Sequence, residues 1–371
     1  MTEMIPPQLG DPAPWFDAKT LEGAFTSLGV VAGRWVALCF LGALDRDAEA
    51  MRALATMLGA ATLFNDDHLV FYGIFSEAPR EAAPLAAASH KALGFIVDEG
   101  NKIASQYGCV DKPCLIVLDP LLHVFANFPI GQNQTPPEAL QNFLRQLPSV
   151  DDSAGVPLTA PALIVPRVFE KSVCDFLINM YEKGETKDSG FMLDQGGKTQ
   201  TVVSYNLKRR RDLVIDDPEV RELMRDRVVR RLVPAIERFF QYHPTRMDRY
   251  LVSCYEAETG GHFSRHRDNV NAGARHRRFA VSINLNHDYE GCDLIFPEFG
   301  RRQYRAPHGG AVVFSTGALH EVTPVTRGKR YAFIPFLYGE EDAQLRGANN
   351  ALLQEGELQY IAGGDKLFPD A

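Results

Sequence analysis

Three side chains define the chemistry this chain could perform: His266, Asp268 and His320. His266-Arg267-Asp268 is an H-x-D, and on a strand positions i and i+2 project to one face. One imidazole and one carboxylate can then reach a single metal ion. His320 follows 52 residues after Asp268, inside Leu319-His320-Glu321-Val322. Two imidazoles and a carboxylate on one side of a metal make the facial arrangement of non-haem Fe(II) sites, which leaves positions open for a co-substrate and O2. Ten residues after His320 comes Arg330, in the strand-like run Arg330-Tyr331-Ala332-Phe333-Ile334. A guanidinium there can hold a co-substrate carboxylate in a bidentate fork.

An H-x-D alone arises readily in a chain with 10 His, and its plain alternative is a solvated pair at a strand end. The full order is more specific, and the elements around it suit it. Strand-like runs recur at 250–255, 279–285, 293–296, 310–314, 321–324 and 330–337, separated by turns. Many short strands of this kind spell a sandwich or jelly roll. Upstream, 162–169 reads as a strand and 170–183 as an amphipathic helix carrying Cys174, Phe176, Leu177 and Met180. Residues 217–242 read as one long helix, with Val220, Leu223, Val228, Leu232, Ile236 and Phe240 as a core stripe bracing a sheet.

The flanks carry a resemblance. Tyr255, Gly260, Gly261 and Phe263 precede the H-x-D; Arg278-Phe279-Ala280-Val281-Ser282-Ile283-Asn284-Leu285-Asn286 and Tyr289-Glu290-Gly291-Cys292-Asp293 follow it. On these residues the C-terminal part resembles the prolyl 4-hydroxylase-like group of 2-oxoglutarate- and Fe(II)-dependent dioxygenases. The resemblance implies an α+β domain built on a double-stranded β-helix (jelly roll), with His266, Asp268 and His320 binding Fe(II). Arg330 matches the residue that pairs with the distal carboxylate of 2-oxoglutarate, and Tyr255 a tyrosine that contacts the same co-substrate. Asn284 stands where some relatives carry a Tyr, at a co-substrate contact. Cys292 replaces a second Gly in a turn, a change expected to alter only a loop. The implied reaction consumes 2-oxoglutarate and O2, yields succinate and CO2, and hydroxylates an unactivated C–H through a ferryl species by hydrogen abstraction and rebound. Ascorbate would restore Fe(II). The substrate could be a prolyl or other residue in a peptide or protein, or a small molecule.

Other polar residues read as less committed. His262, four before His266, could approach the site, while His276, His287 and His308 read as solvated loop residues. Lys208-Arg209-Arg210-Arg211 reads as a solvated basic loop partly paired to Asp212, Asp216 and Asp217, the alternative being a guide for an acidic ligand. Gln195-Gly196-Gly197-Lys198 reads as a flexible lip near the site.

Residues 8–147 alternate strands and helices. Strands are expected at 35–41, 69–75 and 94–98, with a hairpin at 114–119 and 123–127. Helices are expected at 47–57 (stripe Met51, Leu54, Ala55, Leu58), 79–93, 100–107 and 137–147. This order suggests an α/β sandwich. With Gly10-Asp11-Pro12-Ala13-Pro14-Trp15-Phe16 and Gln106-Tyr107-Gly108 it resembles peroxiredoxin/thioredoxin-like folds. That family places a reactive Cys after the first buried strand, where Leu41-Gly42-Ala43-Leu44-Asp45-Arg46-Asp47 has none. The domain therefore reads as redox-inactive, and docking as its role. Cys109 and Cys114 read as a loop thiol and a strand thiol that do not pair, with a local disulfide switch as the alternative. A polar, turn-rich linker covers 148–160, the oxygenase-like domain 161–340 and a tail with a helix-like piece 341–371.

Length and apolar content, 371 residues at 45%, fit two globular domains. A net charge of −8 disfavours nucleic-acid and anionic-membrane partners. No secretory signal or transmembrane run is visible, and six scattered Cys suit a cytoplasmic protein with reduced thiols. Two rival readings stand beside the leading one: a thiol-dependent peroxidase using Cys109 or Cys114, and a non-catalytic docking protein with a vestigial iron site.

Overall fold

The computed structural model describes residues 5–195, 197–355 and 366–368. The chain divides into two units, Met1–Ala160 with Phe296–Arg301, and Pro161–Ile295 with Arg302–Ala371.

In the first unit, Trp35–Gly42 and Leu69–Phe75 are continuous apolar runs, which suits strands buried on both faces. They pair in parallel inside a five-stranded sheet. Leu93–Val97 lies outside Leu69–Phe75, and the hairpin Cys114–Leu118 with Val124–Pro129 lies antiparallel on the other side. The helices Ala48–Leu58, Ala82–Ala88, Lys102–Tyr107 and Pro137–Arg145 connect or follow the strands. This is the thioredoxin-like α/β arrangement that the sequence implies. Asp47 caps the first helix by accepting from the Glu49 and Ala50 N–H groups. The buried stripe of that helix is Ala50, Ala53, Leu54 and Met57, while Met51 stays exposed, so the expected stripe was turned about one position. The helix expected over 79–93 shrinks to Ala82–Ala88, because Ser89 is already extended.

Cys39 lies inside the first strand, where burial pushes its thiol up to about 12, so it is inert as expected. Cys109 and Cys114 are free thiols, one on the loop and one on the strand, as expected, but they lie closer than spacing suggests. Their sulfurs are 2.9 Å apart and both residues are buried. Gly108 and Asp111 take left-handed backbone conformations (φ 68° and 52°), and these two reversals fold the loop so that the sulfurs meet.

The second unit holds two facing sets of strands. The larger sheet has nine strands, running from Arg246–Asp248 through Phe336–Tyr338, Phe279–Asn284, Lys329–Phe333, Leu251–Glu256 and Arg211–Val214 to Lys187–Asp188. Ala311–Ser315 joins it beside Phe279–Asn284 and carries Leu163–Val165 on its far edge. The smaller sheet orders Lys208–Arg209, His262–His266, His320–Val322, Leu294–Ile295 and Gln303–Tyr304. Alternation assigns the two faces of the larger sheet. Val252, Cys254, Val281, Ile283, Tyr331 and Phe333 pack into the core with Val173, Cys174 and Leu177 of the helix Lys171–Lys183. Ser253, Tyr255, Ser282, Asn284 and Arg330 occupy the alternate positions, and all are buried.

The long helix expected at 217–242 is broken. Pro218–Arg227 and Val233–Phe240 are α-helical, and Val228–Leu232 between them is π-helical. Pro234 is the reason: it has no N–H and its ring excludes the carbonyl four residues back. The buried stripe survives the break through Val220, Met224, Val228, Leu232, Val233 and Ile236. Phe191–Gln195 and Lys198–Val202 form a hairpin where a lip was expected; Gly196 at its turn lies outside the described residues. The tail carries the helix Glu340–Asn349, and its residues 356–365 and 369–371 also lie outside the described residues. Among the described residues no helix is long and apolar enough to cross a membrane.

Candidate metal centre

His266 ends the strand His262–His266 and His320 opens His320–Val322. Antiparallel register sets the two residues directly opposite one another. Asp268 lies just past the strand end, where its N–H donates to the Thr316 carbonyl at 2.9 Å. The H-x-D thus reaches one point although its Asp is off the strand. His266 Nε2 lies 3.6 Å from Asp268 Oδ1, and His320 Nε2 lies 3.4 Å from Oδ2. One ligand atom from each residue falls within 4.8 Å of the others.

The other nitrogen of each ring is occupied. His266 Nδ1 is 2.7 Å from the Ser264 carbonyl and His320 Nδ1 is 3.0 Å from the Ala318 carbonyl. An N–H at each Nδ1 puts each Nε2 lone pair on the carboxylate side, which is the tautomer a metal ligand needs. Phe263 stacks on His266 with ring centroids 3.5 Å apart, and Phe314 meets His320 edge-on at 4.7 Å. Burial pushes the His320 imidazole down to about 4, and His266 beside it adds to the shift. Burial alone would raise the Asp268 carboxyl, but His320 and His266 outweigh it and hold Asp268 well below the usual carboxylate range. The donor set presents two imidazoles and one carboxylate, which fits Fe(II).

Arg330 lies on the larger sheet, directly across from Tyr255 in the register. It is buried, with Nε and Nη2 donating to Asn284 Oδ1 at 3.0 and 2.8 Å and Nη2 donating to Ser282 Oγ at 2.7 Å. Asn284 is itself held by donating to the Ala306 carbonyl at 2.7 Å. No carboxylate pairs with Arg330 among the described residues, although a buried charge without a counter-ion is costly. Tyr289, whose phenol burial pushes up against the opposing pull of Arg330, has a buried hydroxyl with no partner. Arg330 and Tyr289 together are a cradle short of one oxyanion, which fits the distal carboxylate of 2-oxoglutarate.

Tyr255 is buried with its ring 5.9 Å from the Arg330 guanidinium, and its hydroxyl accepts weakly from Arg210 at 3.4 Å. Cys292 does more than alter a loop: its sulfur lies 3.8 Å from Arg330 Nη1. His262 does not join the ligands, because its ring nitrogens lie 2.8 and 3.3 Å from the Gly260 and Asn206 carbonyls. His276 is not solvated; it is buried, 3.5 Å from Asp248. His308 is half-buried with an unpartnered Nε2, and His287 is exposed as expected. The basic run is not a solvated loop. On strands its residues alternate, so Lys208 and Arg210 are buried while Arg209 and Arg211 are exposed. Arg210 pairs with Asp212 at 2.8 Å, whereas Arg211 pairs with Asp188 rather than Asp216 or Asp217. Tyr289 and Ser282 were quoted in the sequence without a role. Their only sequence signal was position on the strand and turn flanking Asn284.

Comparison with known proteins bears on this geometry. Residues 250–338 match the 2OG-Fe(II) oxygenase superfamily. A PKHD-type hydroxylase of Stutzerimonas stutzeri (strain A1501) is 28% identical over 184 residues, 45% of this chain and 80% of the relative. Another from Synechococcus sp. (strain JA-2-3B'a(2-13)) is 32% identical over 117 residues, and there the chain spans 51% of the relative's length. A solved prolyl hydroxylase from Trichoplax adhaerens, in complex with a hypoxia inducible factor peptide fragment, has 20% identity and a TM-score of 0.41, covering 50% of this chain and 87% of its own. A thioredoxin domain of a thiol-disulfide oxidoreductase from Bacteroides vulgatus has 20% identity and a TM-score of 0.29, covering 37% of this chain and 98% of its own. The C-terminal region thus carries a 2OG-Fe(II) oxygenase domain, a family that implies Fe(II) and 2-oxoglutarate.

Proposed function

We propose that the protein is a 2-oxoglutarate- and Fe(II)-dependent dioxygenase that hydroxylates an unactivated C–H, on a prolyl or other residue of a peptide or protein. The carrying observation is the cross-strand pairing of His266 with His320, with Asp268 facing both Nε2 atoms. His266, Asp268 and His320 would hold Fe(II). The bound iron, with 2-oxoglutarate and O2, supplies the oxidising power for inserting oxygen into a C–H bond, and ascorbate would keep the iron ferrous.

The chain's own residues bind and orient. Arg330 takes the distal carboxylate of 2-oxoglutarate, with the Tyr289 hydroxyl as second donor. Asn284 and Ser282 fix the Arg330 fork, so little freedom is lost when the carboxylate arrives. Tyr255, opposite Arg330, walls the same cradle. The Ser264 and Ala318 carbonyls hold the ring protons at Nδ1 and keep both imidazoles turned inward. Phe263 and Phe314 exclude water from the imidazole faces. The oxygenase domain spans 161–340, and the thioredoxin-like unit serves docking, since its first turn lacks the reactive Cys.

The test is iron-dependent conversion of 2-oxoglutarate to succinate by the full-length protein, scored with candidate peptides and small molecules. Turnover is expected with Fe(II), and none in His266→Ala that keeps its far-UV circular dichroism. A protein that neither binds nor consumes 2-oxoglutarate in the presence of Fe(II) would sink the proposal.

A further inference from the structure

Next to the metal ligands lies a group of cations with no anion to match. Arg277 Nη1 donates to the Asp268 carbonyl at 3.3 Å, while its buried Nε has no partner. The guanidiniums of Arg277 and Arg249 both lie over the ring of Phe336, at 4.1 and 5.2 Å from its centroid. Arg249 makes no hydrogen bond or ion pair among the described residues. It is half-buried, and its backbone is left-handed at φ 65°, a conformation that costs energy in a non-glycine residue and sets where its side chain goes. Lys208 comes to the same place from the smaller sheet. Its ammonium sits 4.7 Å over Phe263, the ring that stacks on His266, and its one acceptor is the Gly190 carbonyl.

The nearby carboxylates are already engaged. Asp212 pairs with Arg210 and also accepts from Ser253 at 2.7 Å. Asp248 faces His276 and Arg346, each at 3.5 Å. Asp268 faces the two imidazoles and would be taken by the metal. Lys208, Arg249 and Arg277 are left without a carboxylate. Consistent with this, burial, with Arg210 and Arg277 close by, pushes Arg249 down to about 10. Unpaired cations in a part-desolvated space are costly unless an anion enters.

We propose that Lys208, Arg249 and Arg277 form an anion subsite beside the metal ligands, and that the substrate oxidised there carries an oxyanion, a carboxylate or a phosphate. This rests on reading the site as a 2-oxoglutarate-dependent oxygenase. It assigns the co-substrate's distal carboxylate to Arg330 and the substrate's anion to Arg249 and its neighbours. A guanidinium presents a planar fork that can take both oxygens of such a group.

The experiment uses full-length protein with Fe(II) and saturating 2-oxoglutarate, kept free of oxygen. Phenylglyoxal is added, and modified arginines are mapped by mass spectrometry with and without acetate or inorganic phosphate. Arg249 is expected to react when no further anion is present, and to be slowed roughly ten-fold by the better-fitting probe. The stronger protector, acetate or phosphate, tells a carboxylate from a phosphate substrate. Equal modification of Arg249 with and without both probes overturns the subsite. Protection of Arg249 by 2-oxoglutarate alone also overturns it, because the cations would then serve the co-substrate. Failure of the co-substrate reading has a separate signature: 2-oxoglutarate leaves Arg330 as reactive as before. By calorimetry, Arg249→Gln should lose roughly ten-fold in affinity for the protecting anion, and Arg249→Lys should recover only part of that loss.

Discussion

The Tyr289 hydroxyl is buried with no partner, close to a buried Arg330 that lacks a carboxylate. A buried polar group left unpaired costs about 1–3 kcal/mol, so its retention calls for a ligand. Tyr289→Phe should therefore separate stability from binding. Melting temperature is expected to hold or rise, because an unsatisfied group has gone. The KM for 2-oxoglutarate should rise roughly ten-fold, the worth of one hydrogen bond to a charged group, with kcat little changed. An unaltered KM would remove Tyr289 from the cradle. The convergence of His266, Asp268 and His320 was legible from residue type and spacing. Tyr289 was not, because its position depends on the turn after it, where Gly291 and Cys292 both take left-handed conformations (φ 72° and 59°). A turn conformation of that kind has no fixed residue signature once Cys stands where Gly is usual. His276 was misread for a related reason: a polar neighbourhood in sequence does not reveal that Asp248, 28 positions earlier, waits inside.

Elements whose pattern is local were legible, and those shaped by distant contacts were not. The continuous apolar strands of the first unit and the alternating strands around Asn284 and Arg330 followed from period alone. The basic run at 208–211 misled because a charge cluster looks solvated until it is put on strands, where every second residue turns inward. The helix over 217–240 kept its apolar stripe across Pro234, so periodicity concealed the π-helical step. The 109–114 loop is the case with a chemical consequence. Gly108 and Asp111 bend it so that the two sulfurs sit 2.9 Å apart, a proximity that spacing could not reveal. The Cys114 thiol donating to Cys109 lowers Cys109, with Lys112 helping, while burial opposes. Cys109 is thus the expected nucleophile toward a disulfide reagent. In a glutathione redox buffer, one glutathione disulfide should be reduced to two glutathione thiols as Cys109 and Cys114 link. Thiol counting should then find two of the six cysteines lost, and peptide mapping should join those two. Six free thiols under oxidising buffer, or a stable glutathione adduct on Cys109, would contradict this.

Across the whole molecule, the buried groups that titrate in acid with perturbed protonation are unevenly shared among the described residues. Buried Asp212, Asp248 and Asp268 are each held well below the usual carboxylate range: burial alone would raise them, but Arg210, His276 and His320 respectively outweigh it. Burial lowers His276, and pushes His320 to about 4. All five lie in the second unit; in the first, burial lowers His68. Each carboxyl has a folded pKa below its unfolded value of about 3.9, so its stabilisation is present above that value and lost as pH falls through the folded pKa. His320 works in the same direction but earlier. Its unfolded form takes a proton near pH ~6.5 while the folded form waits until about 4, so stability falls between those values and is unaffected above them. Metal-free protein should therefore weaken in acid in two stages, the first set by the histidines and the second by the carboxylates. Both tryptophans, Trp15 and Trp35, are in the first unit, so their fluorescence reports that unit, whereas far-UV circular dichroism reports both. Lowering the pH from 7 to 3 at fixed, sub-denaturing urea should cost dichroism amplitude before the tryptophan emission shifts. Coincident transitions, or stability that is flat from pH 7 to 4, would mean that the buried histidines and carboxylates of the second unit do not control its acid response.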